Sequence, residues 1–318
     1  MPKDKTVMVI TGFSVIVIIV GLQGIAVQKS VLAATSSDMS NNVATYDSKN
    51  IQNNILFTNI LARNLENHIQ KAGAILEVTS KLPQVRNMSY ANLLNQTLKT
   101  LHGIPQYADK EKRQVAKNII ISSNSDLYKI YFIMPNGDMY FLEPYSTQQT
   151  LTKNNYAFRD YFQGAIKRND TYLGNVIIAT AASHPREAVI AVPVYSLKDN
   201  STIVGVWAGS IDFNILDKEL QSLNITSSSD VGGNGNNNTR IVYLDSKGQK
   251  IADSDINKSS ESFANLNSVK NAINGQAGSI TDIVDNNTKM LVTYQPVKVF
   301  HNTWVVLLMQ PIPPQPRQ

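Results

Sequence analysis

Arg159, Tyr161, Phe162, Tyr172 and Asp212 fall within one stretch, Asn154 to Phe213, and could together hold a small molecule. A guanidinium, several aromatic faces and one carboxylate suit the capture of a small polar ligand better than a reaction. Two of them also have plainer readings. Arg159 could pair with Asp160 or cap loop carbonyls, and Asp212 could cap a helix beginning near Asn214.

The other reactive side chains form no such set. There is no nucleophile elbow and no His-Glu-X-X-His pair, so nothing marks an enzyme. His68, His102, His184 and His301 are too far apart in sequence to suggest a metal site. Asp245, Asp253 and Asp255 lack the spacing of an EF-hand loop. With no cysteine, thiol catalysis, iron–sulfur clusters and the usual structural zinc sites are excluded, and no cofactor is expected. Arg186-Glu187 beside His184 reads as a solvated hairpin end. Lys110, Lys112 and Arg113 alternate with Asp109 and Glu111 and read as a solvated helix start. The net charge of +5 is therefore scattered, and no nucleic-acid footprint emerges.

The elements that must position the five residues follow from local patterning. Residues around 159–162 fit a short helix after a polar turn, and Tyr172 falls in a loop. Val189–Val194 and Ile203–Ile211 are apolar runs around Lys-Asp-Asn-Ser, a hairpin signal. Upstream, Ile51, Ile55, Leu61, Leu65, Ile69, Ala72 and Leu76 recur at helical spacing and predict a long amphipathic helix to about Ser80. Asn87–His102 and Asp109–Ile121 read as two further helices.

Repeats suggest two related units. Leu127–Met134 and Asp138–Leu142 flank Pro-Asn-Gly, and Arg240–Leu244 and Lys250–Asp253 flank Asp-Ser-Lys-Gly. Val189–Val194 is echoed by Leu291–Val297, each followed by an apolar strand. The shared order argues for tandem modules at 46–225 and 240–310. A Gly- and Asn-rich linker at 226–239 separates them, and a Pro-rich tail follows at 311–318.

At the start, a short basic segment (1–5) precedes an uncharged apolar stretch, so 6–28 is expected to be a transmembrane helix, the alternative being a cleaved signal peptide, whose apolar region is usually shorter. Asn-X-Ser/Thr triplets beginning at Asn87, Asn95, Asn169, Asn200, Asn224, Asn237, Asn257 and Asn286 fit a glycosylated exterior. The expected location is a single-pass protein of the cell membrane, with its bulk outside.

The order and spacing of Arg159-Asp160-Tyr161-Phe162, Thr171-Tyr172-Leu173, Val192-Pro193-Val194, Gly205-Val206 and Ile211-Asp212 resemble a double Cache (dCache) sensor domain. Asp245-Ser246-Lys247-Gly248 and Trp304 extend the resemblance through about Gln310. It implies an α+β fold in which a long N-terminal stalk helix carries two tandem PAS-like Cache modules. Each module would be a mainly antiparallel sheet flanked by helices. By position in amino-acid-binding members, Arg159 would clamp a ligand carboxylate, Asp212 would take its ammonium, and Tyr172 would be an aromatic contact. An Arg fork suits a carboxylate, and Asp accepts charge-assisted hydrogen bonds. The chain departs from that pattern at Asn154 and Phe162, which stand where Tyr is expected, and at Tyr161, in place of Trp. The partners implied are a small-molecule ligand, the membrane through the N-terminal helix, and a membrane signalling partner or a second copy of the chain. The competing reading is a surface structural or adhesion glycoprotein without a sensing role.

Overall fold

Leu61, Leu65, Ile69, Ala72 and Leu76 form one buried stripe along a 33-residue helix, α1 (Ser48–Ser80), in the computed structural model. The structure describes residues 48–122, 127–181, 186–223, 239–255, 262–284 and 288–312. The opposite face of α1 is mixed, with Gln52, Asn53, Arg63, Asn67, Gln70 and Lys71 exposed beside Leu56, Ile60 and Val78, and the buried stripe is turned inward. It approaches closely at Gly73, where an added Cβ would stand 2.2 Å from the Phe300 ring.

A short helix α2 (Pro83–Arg86), a 3-10 turn (Ala91–Leu93), α3 (Leu94–Leu101) and α4 (Lys110–Ile121) follow. The helix expected over Asn87–His102 is therefore broken at its start. The Asn87 side chain accepts the Ser89 amide at 3.0 Å, a local turn that competes with helix.

Two five-stranded sheets carry the rest. The first contains β1 (Leu127–Ile133), β2 (Met139–Glu143), β3 (Tyr172–Leu173), β6 (Val189–Tyr195) and β7 (Ile203–Ile211), in the order β2-β1-β7-β6-β3. Between its strands come α5 (Tyr145–Gln149), α6 (Asp160–Arg168) and a small ribbon of β4 (Ile177–Ile178) and β5 (Arg186–Glu187). After α7 (Phe213–Ser222), the second sheet uses β8 (Arg240–Leu244), β9 (Lys250–Asp253), β10 (Gly278–Val284), β11 (Thr288–Val299) and β12 (Asn302–Pro311). Helix α8 (Asn267–Ile273) lies between β9 and β10. Read from its hairpin edge, the second sheet runs β9-β8-β12-β11-β10. Position for position this repeats the first, so the echoes in the sequence correspond to one topology used twice.

One face of each sheet faces α1. Ile130, Phe132 and Trp207 from the first sheet and Tyr243, Trp304 and Val306 from the second share a core with the α1 stripe. The other face of the first sheet packs on α6, and that of the second on α8.

Two expectations are corrected here. No helix among the described residues is long and apolar enough to cross a membrane. Helix α1 has the length, but Asn, Gln and charged residues such as Arg63, Glu66, Lys71 and Glu77 interrupt its apolar ones. The expected transmembrane helix at 6–28 lies outside the described residues, as do 1–5, 226–238 and 313–318. The transmembrane helix, the membrane contact through it and the single-pass location are accordingly withdrawn.

The basic start of α4 is solvated at Lys110 but not at the next two basic residues. Lys112 and Arg113 are fully buried. Arg113 pairs with Glu143 at 2.7 Å and donates to the Ala108 and Ile104 carbonyls. Lys112 lies 3.1 Å from Asp109, donates to the Asn87 carbonyl, and stands over the Phe132 and Tyr140 rings. Asp109 and Glu143 supply the compensating charge that allows burial. Burial nonetheless pulls the Lys112 ammonium down to about 8.

Candidate functional site

Strand alternation places Lys129, Tyr131 and Ile133 on the face of β1 that looks toward α6, opposite Ile130 and Phe132. On the far side the chain enters α6 through Tyr156 and Arg159. Between them lies a cavity of about 20 Å³, lined by Lys129, Tyr131, Met139, Leu142, Leu151, Tyr156, Arg159, Tyr161, Ile177, Thr180, Ala181 and Glu187. That volume has room for one or two water molecules. A larger guest must displace side chains.

The charges in this layer are well defined. Lys129 and Glu187 are both buried and form an ion pair at 2.5 Å. The Tyr128 hydroxyl donates to the same Glu187 oxygen. Arg159 is the residue before α6. Its Nη2 donates to the Ile178 carbonyl at 2.8 Å and its guanidinium lies over the Phe158 ring, yet its Nε is buried with no hydrogen-bond partner. An unpaired buried donor is costly, which makes this nitrogen a natural point of attachment for an acceptor.

The phenols are held protonated. Tyr131 and Tyr161 meet edge to face with ring centroids 6.4 Å apart. Burial raises both hydroxyls above the usual tyrosine range, with nearby Glu187 adding to the shift. Burial raises Tyr156 as well, and its hydroxyl contacts the Lys153 carbonyl and Thr180 Oγ1. A neutral phenol can donate to an anion or a carbonyl.

Of the five residues singled out from the sequence, the structure brings Arg159 and Tyr161 together at this cavity. Phe162 is buried in the α6 layer behind it. Tyr172 packs against Gly164 of α6, where an added Cβ would stand 2.4 Å from its ring. Asp212 stands before α7 and accepts the Asn214 amide at 3.0 Å, the plainer role allowed for it.

Lys129, Tyr131 and Glu187 were not anticipated. Glu187 is 6% exposed, so the reading of a solvated hairpin end at Arg186-Glu187 is corrected for that residue. The available signal was Lys129 itself, a lone charge in the strongly apolar run Leu127–Ile133 that needs a buried acid opposite it.

A wider cleft of about 550 Å³ lies between α1 and β6, and three of its four charged groups, all but Lys81, are already engaged. Arg86 donates to the Tyr195 and Ser196 carbonyls, Glu77 accepts from Thr171, and Asp170 lies 2.7 Å from His301. No group of three or more His, Asp or Glu among the described residues could hold a metal ion.

Comparison with known proteins adds the family. A model of the Cache domain, of the dCache type, matches residues 30–313. No curated protein matches the chain. Among solved structures, the extracellular domain of a proposed histidine kinase, rpHK1S-Z16, aligns with a TM-score of 0.56 at 14% identity, over 81% of this chain and 92% of that one. The ligand-binding domain of Pseudomonas fluorescens chemoreceptor CtaA, in complex with L-isoleucine, aligns at 0.52 and 13% identity, over 83% and 94%. That of Campylobacter jejuni chemoreceptor Tlp3, in complex with L-norvaline, aligns at 0.52 and 16%, over 82% and 91%. At these identities the likeness establishes the fold alone.

Proposed function

The chain belongs to the double Cache family, and on that premise we propose that it is a non-catalytic sensor domain whose first sheet binds a small molecule for signalling. The observation that carries this is the polar cavity beneath α6, where a buried Arg159 nitrogen lacks a partner among protonated phenols. Arg159, Tyr161 and Tyr131 would touch the ligand. Phe162 and Tyr172 would hold α6 in place, and Asp212 would cap α7.

In this reading 46–225 captures the ligand and 240–310 receives its effect. A hydrogen-bonded path supports it. Asp160, beside Arg159, accepts from Asn175, and Asn175 accepts from Ser246 and Asn302 of the second module. Two of the similar receptors are described as holding free amino acids, so small metabolites of that size are the first candidates.

A thermal-shift screen of small acids, amines and amino acids tests the proposal. Saturable stabilisation that Arg159→Ala abolishes and Asp212→Asn preserves is expected. Stabilisation that Arg159→Ala leaves intact would place binding elsewhere.

A further inference from the structure

We propose that the cavity selects a small monocarboxylate with an apolar body over a zwitterion or an amine, an inference that rests on the ligand-sensing reading above. Charge balance carries it. Lys129 and Arg159 against Glu187 leave one positive charge among the lining residues. The Lys129 and Glu187 charges cancel in their 2.5 Å contact, and Tyr128 occupies the same Glu187 oxygen. The uncompensated charge is Arg159, and the unpartnered Nε is on that residue. A half-buried cation with a buried, unpartnered N–H draws in an anion, and a carboxylate matches its fork.

A ligand ammonium would need an acceptor, and the nearby carboxylates are engaged. Asp160 takes the Tyr161 amide and both amides of Asn175. Asp212 takes the backbone and side chain of Asn214. Using Glu187 would strip Lys129 of its counter-charge in a buried position, which opposes binding. Met139, Leu142, Leu151, Ile177 and Ala181 give the lining an apolar part that suits a hydrocarbon body. The small free volume favours short acids, because each added carbon displaces more of the wall.

Titration calorimetry with propanoate, alanine and ethylamine separates the classes, since alanine is propanoate with an added ammonium and ethylamine lacks the carboxylate. The full chain, Arg159→Gln and Glu187→Gln are compared. Propanoate should bind at least about tenfold more tightly than alanine, ethylamine should not bind, and Arg159→Gln should weaken propanoate at least about tenfold. Glu187→Gln should tighten propanoate binding, because it frees the Lys129 ammonium as a second cation in the lining. Alanine or ethylamine binding more tightly than propanoate, and lost in Glu187→Gln, would overturn the monocarboxylate class while leaving the sensing cavity in place. If none of the three binds, or Arg159→Gln binds propanoate as the unaltered chain does, the cavity assignment falls with it.

Discussion

Asp160 accepts hydrogen bonds from both the backbone and the side-chain amide of Asn175, at 2.9 and 3.3 Å. The side-chain Oδ1 of Asn175 accepts from Ser246 Oγ, at 2.5 Å, and from Asn302 Nδ2. The next residue, Val176, donates its amide to buried Asp245 at 2.8 Å. The entrance of α6 is thus tied to the β8–β9 turn and to the start of β12. Asn175→Ala removes the side-chain half of this bridge. A loss of about 1–3 kcal/mol in urea unfolding is expected, with faster amide exchange at Lys247 and Gln249. Slower or unchanged exchange there would show that Asn175 carries nothing to the second sheet.

Gly73 and Phe300 set how closely α1 lies on the second sheet. A side chain at 73 meets the Phe300 ring far inside contact distance. Gly73→Val should therefore destabilise the chain by about 1–3 kcal/mol, the usual result of overpacking. Phe300→Ala in the same chain should recover part of the loss. Independent, additive effects in the double variant would contradict direct contact.

Turn chemistry and periodicity made much of this architecture legible. Both hairpins, the long helix and the repeated order follow from turn residues and from apolar spacing, which act locally. The buried charges did not follow. Lys112 and Arg113 sit in a segment whose composition is that of a solvated helix, and only Asp109, Tyr140 and Glu143 closing over them make burial tolerable. Glu187 was hidden for the same reason, because its partner Lys129 is 58 positions away in sequence and meets it only through the fold. Arg159 and Tyr161 meet at the cavity because they stand two positions apart at the entrance of α6, a local relation that sequence can carry. Asp212 was legible as a cap and as a ligand contact alike, and sequence could not separate the two.

Lys112 gives stability a pH dependence. Its folded pKa of about 8 lies below its ordinary 10.5, with burial as the largest cause. Between those values the unfolded chain binds the extra proton, so stability rises with pH across that window. Below about 8 the charged form is carried in both states and the burial penalty is present in full. Relative to Lys112→Met, the unaltered chain should gain up to about 1.4 kcal/mol per pH unit between roughly 8 and 10.5. Parallel stability curves for the two proteins over that range would contradict it.

Arg113 and Glu143 form a buried pair whose halves cannot be removed singly without cost. Glu143→Gln leaves the guanidinium without its counter-charge, although Gln148 still accepts from it at 3.2 Å. A loss of about 3–5 kcal/mol is expected in chemical denaturation. Replacing both residues together, as Arg113→Met with Glu143→Leu, should cost less than the single change. A double variant weaker than Glu143→Gln would mean that the pair also organises the carbonyls of Ala108 and Ile104.

Asp212 separates a capping role from a ligand-holding one. Its carboxylate accepts the Asn214 amide at 3.0 Å and the Asn214 side chain at 2.9 Å, at the first turn of α7. Asparagine caps helices about as well as aspartate, whereas alanine loses the acceptor. Asp212→Asn should therefore leave stability within a few tenths of a kcal/mol, and Asp212→Ala should cost about 1 kcal/mol. Neither change should alter propanoate affinity by more than about twofold, because the carboxylate does not line the cavity. Calorimetry on both variants beside Arg159→Gln decides the point. If Asp212→Asn weakens binding as much as Arg159→Gln does while leaving stability intact, Asp212 holds the ligand and the cavity is larger than the residues now lining it.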